Sequence, residues 1–309
     1  MISKVIEAIK SGDFFWKTEK KIYEVNRSKR CIHIATNKDT KANIYQNKDY
    51  KKLYKKYENI IDAGVDEIRD RKYSNIVWVC WLQGIEEAPP IVKACVNSMK
   101  RSMPDKEIII LTYDNYQDYV TFPDYIIEKF SCGKIGFAHF SDLLRISLIA
   151  KWGGMWVDST ALCTNKEFFD FVSQEDLFVF KQLNLGNRDN APILASNWFI
   201  SAKPKDPIIT LTRDLLFAYW KDYNFAINYF IFHLFFAMAC RRYKDKWDNV
   251  PVFNNNSPHV LMFELDHEYT DIRWKQIMGM SGIHKLQRYD DFSHLKNSNY
   301  SKILKEYLD

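Results

Sequence analysis

Five short apolar runs after residue 75 constrain the fold of this chain more than any other feature of its sequence. They are IVWVCW at 76–81, EIIILTY at 107–113, MWVD at 155–158, LFVF at 177–180 and NWFI at 197–200. Runs that are apolar at consecutive positions are typical of strands whose two sheet faces are both covered by helices. The sequence therefore predicts a protein of the α/β class.

Helical patterns fill the segments between these runs. Between the first two runs, PPIVKACVNSMKRSMP carries its apolar residues at the spacing of one helix face, with prolines at both ends. This pattern predicts a βαβ unit, whose crossover we expect to be right-handed. A second helix is predicted over FAHFSDLLRISLIAKW, which follows Gly136 and ends before Gly153 and Gly154.

The most apolar segment, FAINYFIFHLFFAMAC at 225–240, raises the question of a membrane span. Its 16 residues include Asn228 and His233, whereas a spanning helix needs about 20 apolar residues. We therefore predict a buried core helix, with insertion of one face into a membrane interface as the alternative. The N-terminus lacks the pattern of a signal peptide, so we expect a cytoplasmic protein.

The N-terminal quarter differs from the rest in charge. Residues 1–75 contain 18 Lys or Arg against 11 Asp or Glu, although the whole chain has a net charge of only +5. Apolar residues at helical spacing, such as those at 5, 6 and 9, predict short helices. We therefore divide the chain into a basic, mainly helical arm at 1–74 and a catalytic domain at 75–309.

A lysine cluster in this arm suggests a partner for it. The cluster comprises Lys48, Lys51, Lys52, Lys55 and Lys56. Such a cluster suits an anionic membrane surface or a phosphate-bearing acceptor, and a solvated helix face is the alternative. No nucleic-acid-binding module accompanies the charge, so we do not expect a nucleic acid partner.

The residues best suited to chemistry lie between Ser141 and Thr160. Ser141, Asp142 and Arg145 are three or four residues apart, so one helix face presents all three. Asp158 follows at the carboxyl end of the next strand, where ligands bind in open α/β sheets. A carboxylate there can hold a sugar hydroxyl or a divalent cation. The alternatives are a surface ion pair and an Asp that caps a turn with Ser159.

This segment, SDLLR…KWGGMWVDST, resembles the SD-x-x-R…YGG-x-x-x-D-x-D signature of family 32 glycosyltransferases, and most closely their capsular polysaccharide synthesis branch. The resemblance also includes WLQG at 81–84, YDNY at 113–116, NWFI at 197–200 and SGIHKL at 281–286. It implies a GT-A fold, which is a Rossmann-like central mixed sheet flanked by helices, here with C-terminal helical additions. It further implies a nucleotide-sugar donor such as a UDP-sugar, a divalent cation (Mn²⁺ or Mg²⁺) and retention at the anomeric carbon.

The resemblance also assigns roles to individual residues. Asp142 and Arg145 should contact the donor sugar, and Asp158 should be the first acid of the DxD motif; these three are the expected catalytic residues. Further donor-binding residues are expected at Trp81, Gln83, Tyr113, Asp114, Asn115, Ser141, Ser159 and Lys285. Among them, Lys285 is expected to pair with the diphosphate as a point charge.

Thr160 stands where the motif has its second acid, and a neutral hydroxyl is a weaker metal ligand than a carboxylate. Asp158 would then need another ligand, and His284 is the candidate. His267 and His233 are lesser candidates for a site role. His139 is expected to be structural, because it is assigned to a different helix face from Asp142 and Arg145.

The function expected from these features is glycosyl transfer in capsular or other surface polysaccharide biosynthesis. The acceptor would be a glycan or a polyprenyl-diphosphate-linked glycan, reached at the inner face of the plasma membrane. Two alternatives remain open. One is a nucleotide-sugar or glycan-binding protein without catalysis, and the other is a glycoside hydrolase that uses a carboxylate pair such as Asp142 and Asp158.

Overall fold

A computed structural model describes residues 13–31, 38–66, 71–183 and 191–308, and five strands form one mixed sheet at its centre. The described strands are β1 (Ile76–Cys80), β2 (Glu107–Leu111), β3 (Gly154–Val157), β4 (Ala161–Cys163), β5 (Leu177–Lys181), β6 (Ala195–Ala202) and β7 (Ile283–Lys285). The order in the central sheet is β2-β1-β3-β6-β5, and β4 pairs separately with β7. All five apolar runs predicted as strands are confirmed, and all five belong to the central sheet.

The strand directions determine which strand ends lie at the same edge of the sheet. β1 runs parallel to β2 and β3, so that Trp78 pairs with both Ile109 and Trp156. β6 runs antiparallel to β3, with Val157 opposite Phe199, and β5 runs antiparallel to β6. The carboxyl ends of β1, β2, β3 and β5 therefore lie at one edge of the sheet, together with the amino end of β6. We call this the ligand edge.

Helices cover both faces of the sheet. The described helices are α1 (Asp13–Cys31), α2 (Lys38–Ala63), α3 (Pro90–Ser102), α4 (Tyr116–Tyr119), α5 (Asp124–Ser131), α6 (Phe137–Trp152), α7 (Lys166–Val172), α8 (Pro207–Asp222), α9 (Ile231–Arg242), α10 (Lys244–Asn249), α11 (Asp271–Met278) and α12 (Asn299–Tyr307). On one face α6 packs on the strands with α8 and α9 behind it, and α3 and α7 cover the other face. The predicted α/β class, with a central mixed sheet flanked by helices, is confirmed.

The apolar segment at 225–240 is only partly helical. Its helix, α9, begins at Ile231, and the residues before it form a loop. The hydroxyl of Tyr219 donates to the carbonyl of Phe225 (2.7 Å) and accepts from the amide of Ile227 (2.9 Å). These two bonds satisfy backbone groups that a helix would otherwise pair, and so allow an apolar loop to be buried. None of the described helices combines the length and the apolar character that crossing a membrane requires.

Helix α2 of the basic arm packs against α8 and α9. The ring of Tyr57 lies 5.7 Å from that of Phe235, and its hydroxyl donates to Asp222 (3.1 Å). Lys56 pairs with the same carboxylate at 3.0 Å. Its ammonium also lies 4.4 Å from the ring centre of Tyr223, where a cation is favourable. Part of the lysine cluster therefore faces the protein itself.

The division at residue 74 stays a prediction. The helical spacing predicted at residues 5, 6 and 9 lies outside the described residues.

Candidate active site

Two glycines connect the helix and the strand that carry the predicted site residues. α6 ends at Trp152, and Gly153 and Gly154 connect it to β3 with φ values of 69° and 88°. L side chains rarely adopt such angles. A Cβ on Gly154 would also collide with the carbonyl oxygen of Ile76 on the neighbouring strand. This tight connection brings the chain from α6 directly to Asp158, which follows the end of β3.

Arg145 lies at the centre of the site. Its Nη2 donates to Asp158 Oδ1 (3.2 Å), and its Nη1 donates to the backbone carbonyl of Asn197 (2.8 Å). Nη1 also lies 3.3 Å from Asp142 Oδ1. The guanidinium carbon stands 4.9 Å from the ring centre of Trp156, and the side chain is only 7% exposed. One buried guanidinium thus holds both predicted carboxylates, as the fork geometry of arginine allows.

Asp158 is surrounded by positive charge. Besides Arg145, its Oδ1 accepts a hydrogen bond from Trp156 Nε1 (2.9 Å), and its Oδ2 lies 3.4 Å from Lys285 Nζ. Burial alone would raise the pKa of this carboxyl, but Arg145 and Lys285 outweigh burial, so the pKa lies below its ordinary value. Asp158 is therefore ionised at neutral pH. Its side chain is still 25% exposed, so a ligand can reach it.

Asp142 is held from two further sides. The side-chain amide of Asn197 donates to Asp142 Oδ1 (2.8 Å), and His139 Nδ1 lies 3.7 Å from Oδ2. The assignment of His139 to a different helix face is therefore wrong. The two residues are three positions apart, a separation that brings side chains together on a helix. Ser141 Oγ lies 3.4 Å from Arg145 Nη2, as the shared face predicts.

The C-terminal strand β7 brings Lys285 to the site and not His284. β7 pairs with β4 so that Lys285 lies opposite Ala161, and its Nζ donates to the hydroxyl of Thr160. Successive side chains of a strand point to opposite faces, so His284 points away and is fully buried. Burial lowers the pKa of His284 to about 4, against a weak opposing effect of the Ser281 backbone. Neither ring nitrogen reaches hydrogen-bond geometry.

The donor atoms around Asp158 decide whether the predicted divalent cation fits. Both oxygens of this carboxylate face cationic side chains, and the Thr160 hydroxyl is engaged by Lys285. Over the residues that the structure describes, no group of three or more His, Cys, Asp or Glu could hold a metal ion. As placed, these residues do not fit a cation, which would have to displace the ammonium of Lys285.

The loops after β1 and β2 form the other side of the site. The amide of Tyr113 donates to the carbonyl of Leu82 (2.9 Å), which joins the two loops. The Trp81 ring lies 5.0 Å from the guanidinium carbon of Arg288. The Asn115 side chain accepts from the Thr112 amide (2.8 Å) and donates to a backbone carbonyl, so it is used within its own turn.

The remaining predicted residues differ in exposure. Gln83 and Asp114 are exposed and Ser159 is half-buried. Among the lesser candidates, His267 lies 3.9 Å from Glu264. His233 lies within α9, where burial lowers its pKa to about 4.

Sequence reasoning did not identify several residues around the carboxylates. Asn197 and Trp156 contact Asp142, Arg145 and Asp158 directly. Each of the two stands in a predicted strand that ends or begins at the ligand edge, and that position is the signal that could have identified them.

Cys80 and Tyr229 lie within electrostatic range of the carboxylates. Burial raises the pKa of Cys80 to about 12, with Arg145 opposing and Asp158 adding to the rise. Partial burial raises the pKa of Tyr229, and Asp142 adds to that rise. Tyr229 comes from the loop before α9, which no pattern predicts.

Comparisons with known proteins match most of the chain to one protein family. The sequence profile described as "Capsular polysaccharide synthesis protein" matches residues 29–304. O-glycosyltransferase braB of Annulohypoxylon truncatum is 24% identical over 161 residues, which cover 47% of this chain and 37% of that protein. The chain thus spans well under two thirds of this relative. Among solved structures, the PaToxG Glycosyltransferase aligns with 85% of this chain and 98% of its own, at 13% identity and a TM-score of 0.39.

Proposed function

The chain belongs to the capsular polysaccharide synthesis protein family, and on that premise we propose that it is a retaining glycosyltransferase. The donor is a nucleotide sugar such as a UDP-sugar. The acceptor is a glycan or a polyprenyl-diphosphate-linked glycan of a capsular or other surface polysaccharide. The observation that carries the proposal is the pair Asp142 and Asp158, held by the single guanidinium of Arg145 at the ligand edge.

The donor is proposed to lie across the ends of the parallel strands. Its base and ribose contact the loops of Trp81 and Tyr113, because the exposed ring of Tyr113 offers a stacking surface. Its sugar lies at Asp142 and Asp158, whose oxygens accept hydrogen bonds from sugar hydroxyls. Its diphosphate lies beside Lys285, which is the nearest ammonium to Asp158.

In the proposed reaction the bond between the anomeric carbon and the diphosphate oxygen breaks, and an acceptor hydroxyl oxygen bonds to that carbon on the same face. The acceptor proton passes to the departing phosphate oxygen, so no protein base is required. Negative charge builds on the leaving group. A fixed ammonium beside the leaving group stabilises such developing charge, and this is the role we assign to Lys285.

The divalent cation implied by the resemblance is not part of this proposal, because the residues around Asp158 do not fit it as placed, and no step of the mechanism runs through it. Contact with an anionic membrane is a separate proposal. It is supported by the exposed lysines at 51 and 55 of α2 and is weakened by the packing of Lys56 against the protein.

The glycoside hydrolase alternative is less well supported. Hydrolysis by a carboxylate pair requires one acid that stays protonated, which means a raised pKa. The pKa of Asp158 is lowered instead, so this carboxyl is not suited to be that acid.

A mass-spectrometric screen of nucleotide sugars tests the proposal. The unmodified chain should release free nucleoside diphosphate from at least one donor, slowly to water and faster with acceptor. Asp158→Asn, which keeps the shape of the side chain, should lower that release by about 100-fold or more. The matched control is Asp170→Asn, at an exposed position of α7 where the carboxylate pairs with Lys166.

Two results would contradict the proposal. Full activity of Asp158→Asn would remove Asp158 from the site. Tight binding of a nucleotide sugar without any release, under every acceptor condition, would favour the binding protein without catalysis.

A further inference from the structure

We infer that a cavity at the ligand edge, which we call the acceptor cavity, binds a neutral sugar unit of the acceptor glycan. The inference rests on the proposed function. The cavity has a volume of about 320 Å³, within the range of about 300 to 1,000 Å³ typical of small-molecule sites. Its walls come from α2, from the residue that follows β5, from the start of β6 and from the start of α9.

The position of the cavity connects it to the proposed donor site. Lys181 pairs with Ala195, so the end of β5 and the start of β6 lie together at the ligand edge. Ser196 lines the cavity, and the next residue, Asn197, donates to Asp142. His233, another lining residue, lies within electrostatic range of Asp142 and Arg145. A sugar in this cavity would therefore lie next to the proposed donor site, as an attacking acceptor requires.

The chemistry of the walls favours uncharged hydroxyl groups. None of the described residues that line the cavity carries a formal charge. Within the described chain, no hydrogen bond engages the side-chain amides of Gln46 and Gln182, although Gln46 is only 9% exposed. A side-chain amide offers donors and an acceptor together, which match sugar hydroxyls.

Two further side chains complete the walls. His233 Nδ1 is buried without a hydrogen-bond partner, and burial keeps the ring neutral. The ring of Phe230 supplies an apolar wall against which the C–H face of a sugar can pack. Among the described lining residues, an anionic diphosphate would meet no cation, so we assign the cavity to a neutral sugar and not to the donor's leaving group.

The inference also gives the basic arm a role. Gln46 belongs to α2, which the sequence places outside the catalytic domain. With Gln46 in the wall, α2 contributes to the choice of acceptor.

The test measures glycoside binding to the whole chain without any donor, by saturation-transfer difference NMR. The probes are the methyl α- and β-glycosides of glucose, galactose, mannose, N-acetylglucosamine and N-acetylgalactosamine. Gln182→Ala changes an exposed residue and should fold normally, whereas Gln46→Ala removes the buried amide. Gln174→Ala is the matched control, because Gln174 lies before β5, at the opposite edge of the sheet.

We expect at least one glycoside to bind. Its affinity should fall about 3- to 10-fold in Gln182→Ala and in Gln46→Ala, and should be unchanged in Gln174→Ala. Thermal unfolding of each variant identifies any loss that comes from misfolding. If Gln46→Ala unfolds, Gln182→Ala alone decides the test.

Three results would overturn the inference: no probe binds, binding is equal in Gln182→Ala and the unmodified chain, or the control loses as much affinity. Failure of the proposed function has a different signature, namely no release of nucleoside diphosphate from any nucleotide sugar. Because glycoside binding is measured without donor, the two failures are distinguishable.

Discussion

Replacement of Lys285 by Met removes the ammonium that we assign to the leaving diphosphate, while an unbranched side chain of similar length remains. Lys285 Nζ lies 3.4 Å from Asp158 Oδ2, and the two side chains are 19% and 25% exposed. At an effective dielectric constant of about 20, unit charges at this separation interact by about 5 kcal/mol, and desolvation offsets part of this energy. For a preorganised group that acts on developing charge, a loss of about 3 to 4 kcal/mol is expected in the transition state. In Lys285→Met, kcat for donor hydrolysis should therefore fall about 100- to 1,000-fold.

The same variant should shift the pH dependence of activity. Asp158 keeps a pKa below its ordinary value because Arg145 and Lys285, together with the hydrogen bond from Trp156, outweigh burial. A carboxyl with a lowered pKa contributes stability that is present above its unfolded pKa and is lost as the pH falls through its folded pKa. Without Lys285 the pKa of Asp158 in the folded protein rises. Both the loss of this stability and the acidic limb of the kcat/KM profile should therefore occur at higher pH.

The assay is the release of nucleoside diphosphate into water at saturating donor, measured across the acidic pH range. Lys285→Arg keeps a positive charge and should retain more activity than Lys285→Met. Lys275→Met, on exposed α11, is the matched control. The reasoning is refuted if Lys285→Met keeps activity and pH profile while Asp158→Asn is inactive, since Asp158 would then act without this ammonium.

Three further predictions concern other parts of the structure. Asn197→Ala removes the amide that holds Asp142 and should lower kcat/KM for donor hydrolysis about 10-fold; an unchanged value would show that Asp142 needs no such support. EDTA should change donor hydrolysis by less than about twofold, because both oxygens of Asp158 already face cationic side chains; a loss that only Mn²⁺ restores would contradict this. Tyr219→Phe leaves two buried backbone groups of loop 225–227 unpaired and should lower the free energy of unfolding by about 2 to 4 kcal/mol. Urea denaturation measures this loss, and an unchanged midpoint would contradict the role of the hydroxyl.

The sequence predicted the features that depend on local pattern. Strands covered on both faces carry apolar residues at consecutive positions, so all five strands of the central sheet could be identified from their composition alone. The glycines before β3 and the spacing of Ser141, Asp142 and Arg145 likewise indicated the geometry around Arg145. These contacts join residues that are close in the chain or that follow directly from the strand order.

Contacts between distant segments could not be predicted in this way. Nothing near residue 225 indicates that the hydroxyl of Tyr219 satisfies the loop before α9, so the apolar composition alone suggested a longer helix. The role of Asn197 depends on the pairing of β6 with β3, and strand pairing is not visible in a single sequence. His139 was misassigned by a different cause, because an approximate helix face was used where the three-residue separation from Asp142 decides contact.

Asn197 connects the proposed donor site with the proposed acceptor cavity. Its side-chain amide donates to Asp142, and its backbone carbonyl accepts from Arg145. Its neighbour Ser196 lines the acceptor cavity. The proposed donor contacts the parallel half of the sheet, and the proposed acceptor sugar contacts the antiparallel half. Because β6 joins these halves, a shift of Asn197 on acceptor binding would move Asp142 relative to the donor sugar. Asn197→Ala should therefore reduce the acceptor-dependent increase in diphosphate release more than it reduces donor hydrolysis in water. Equal losses would show that the two halves of the sheet act independently.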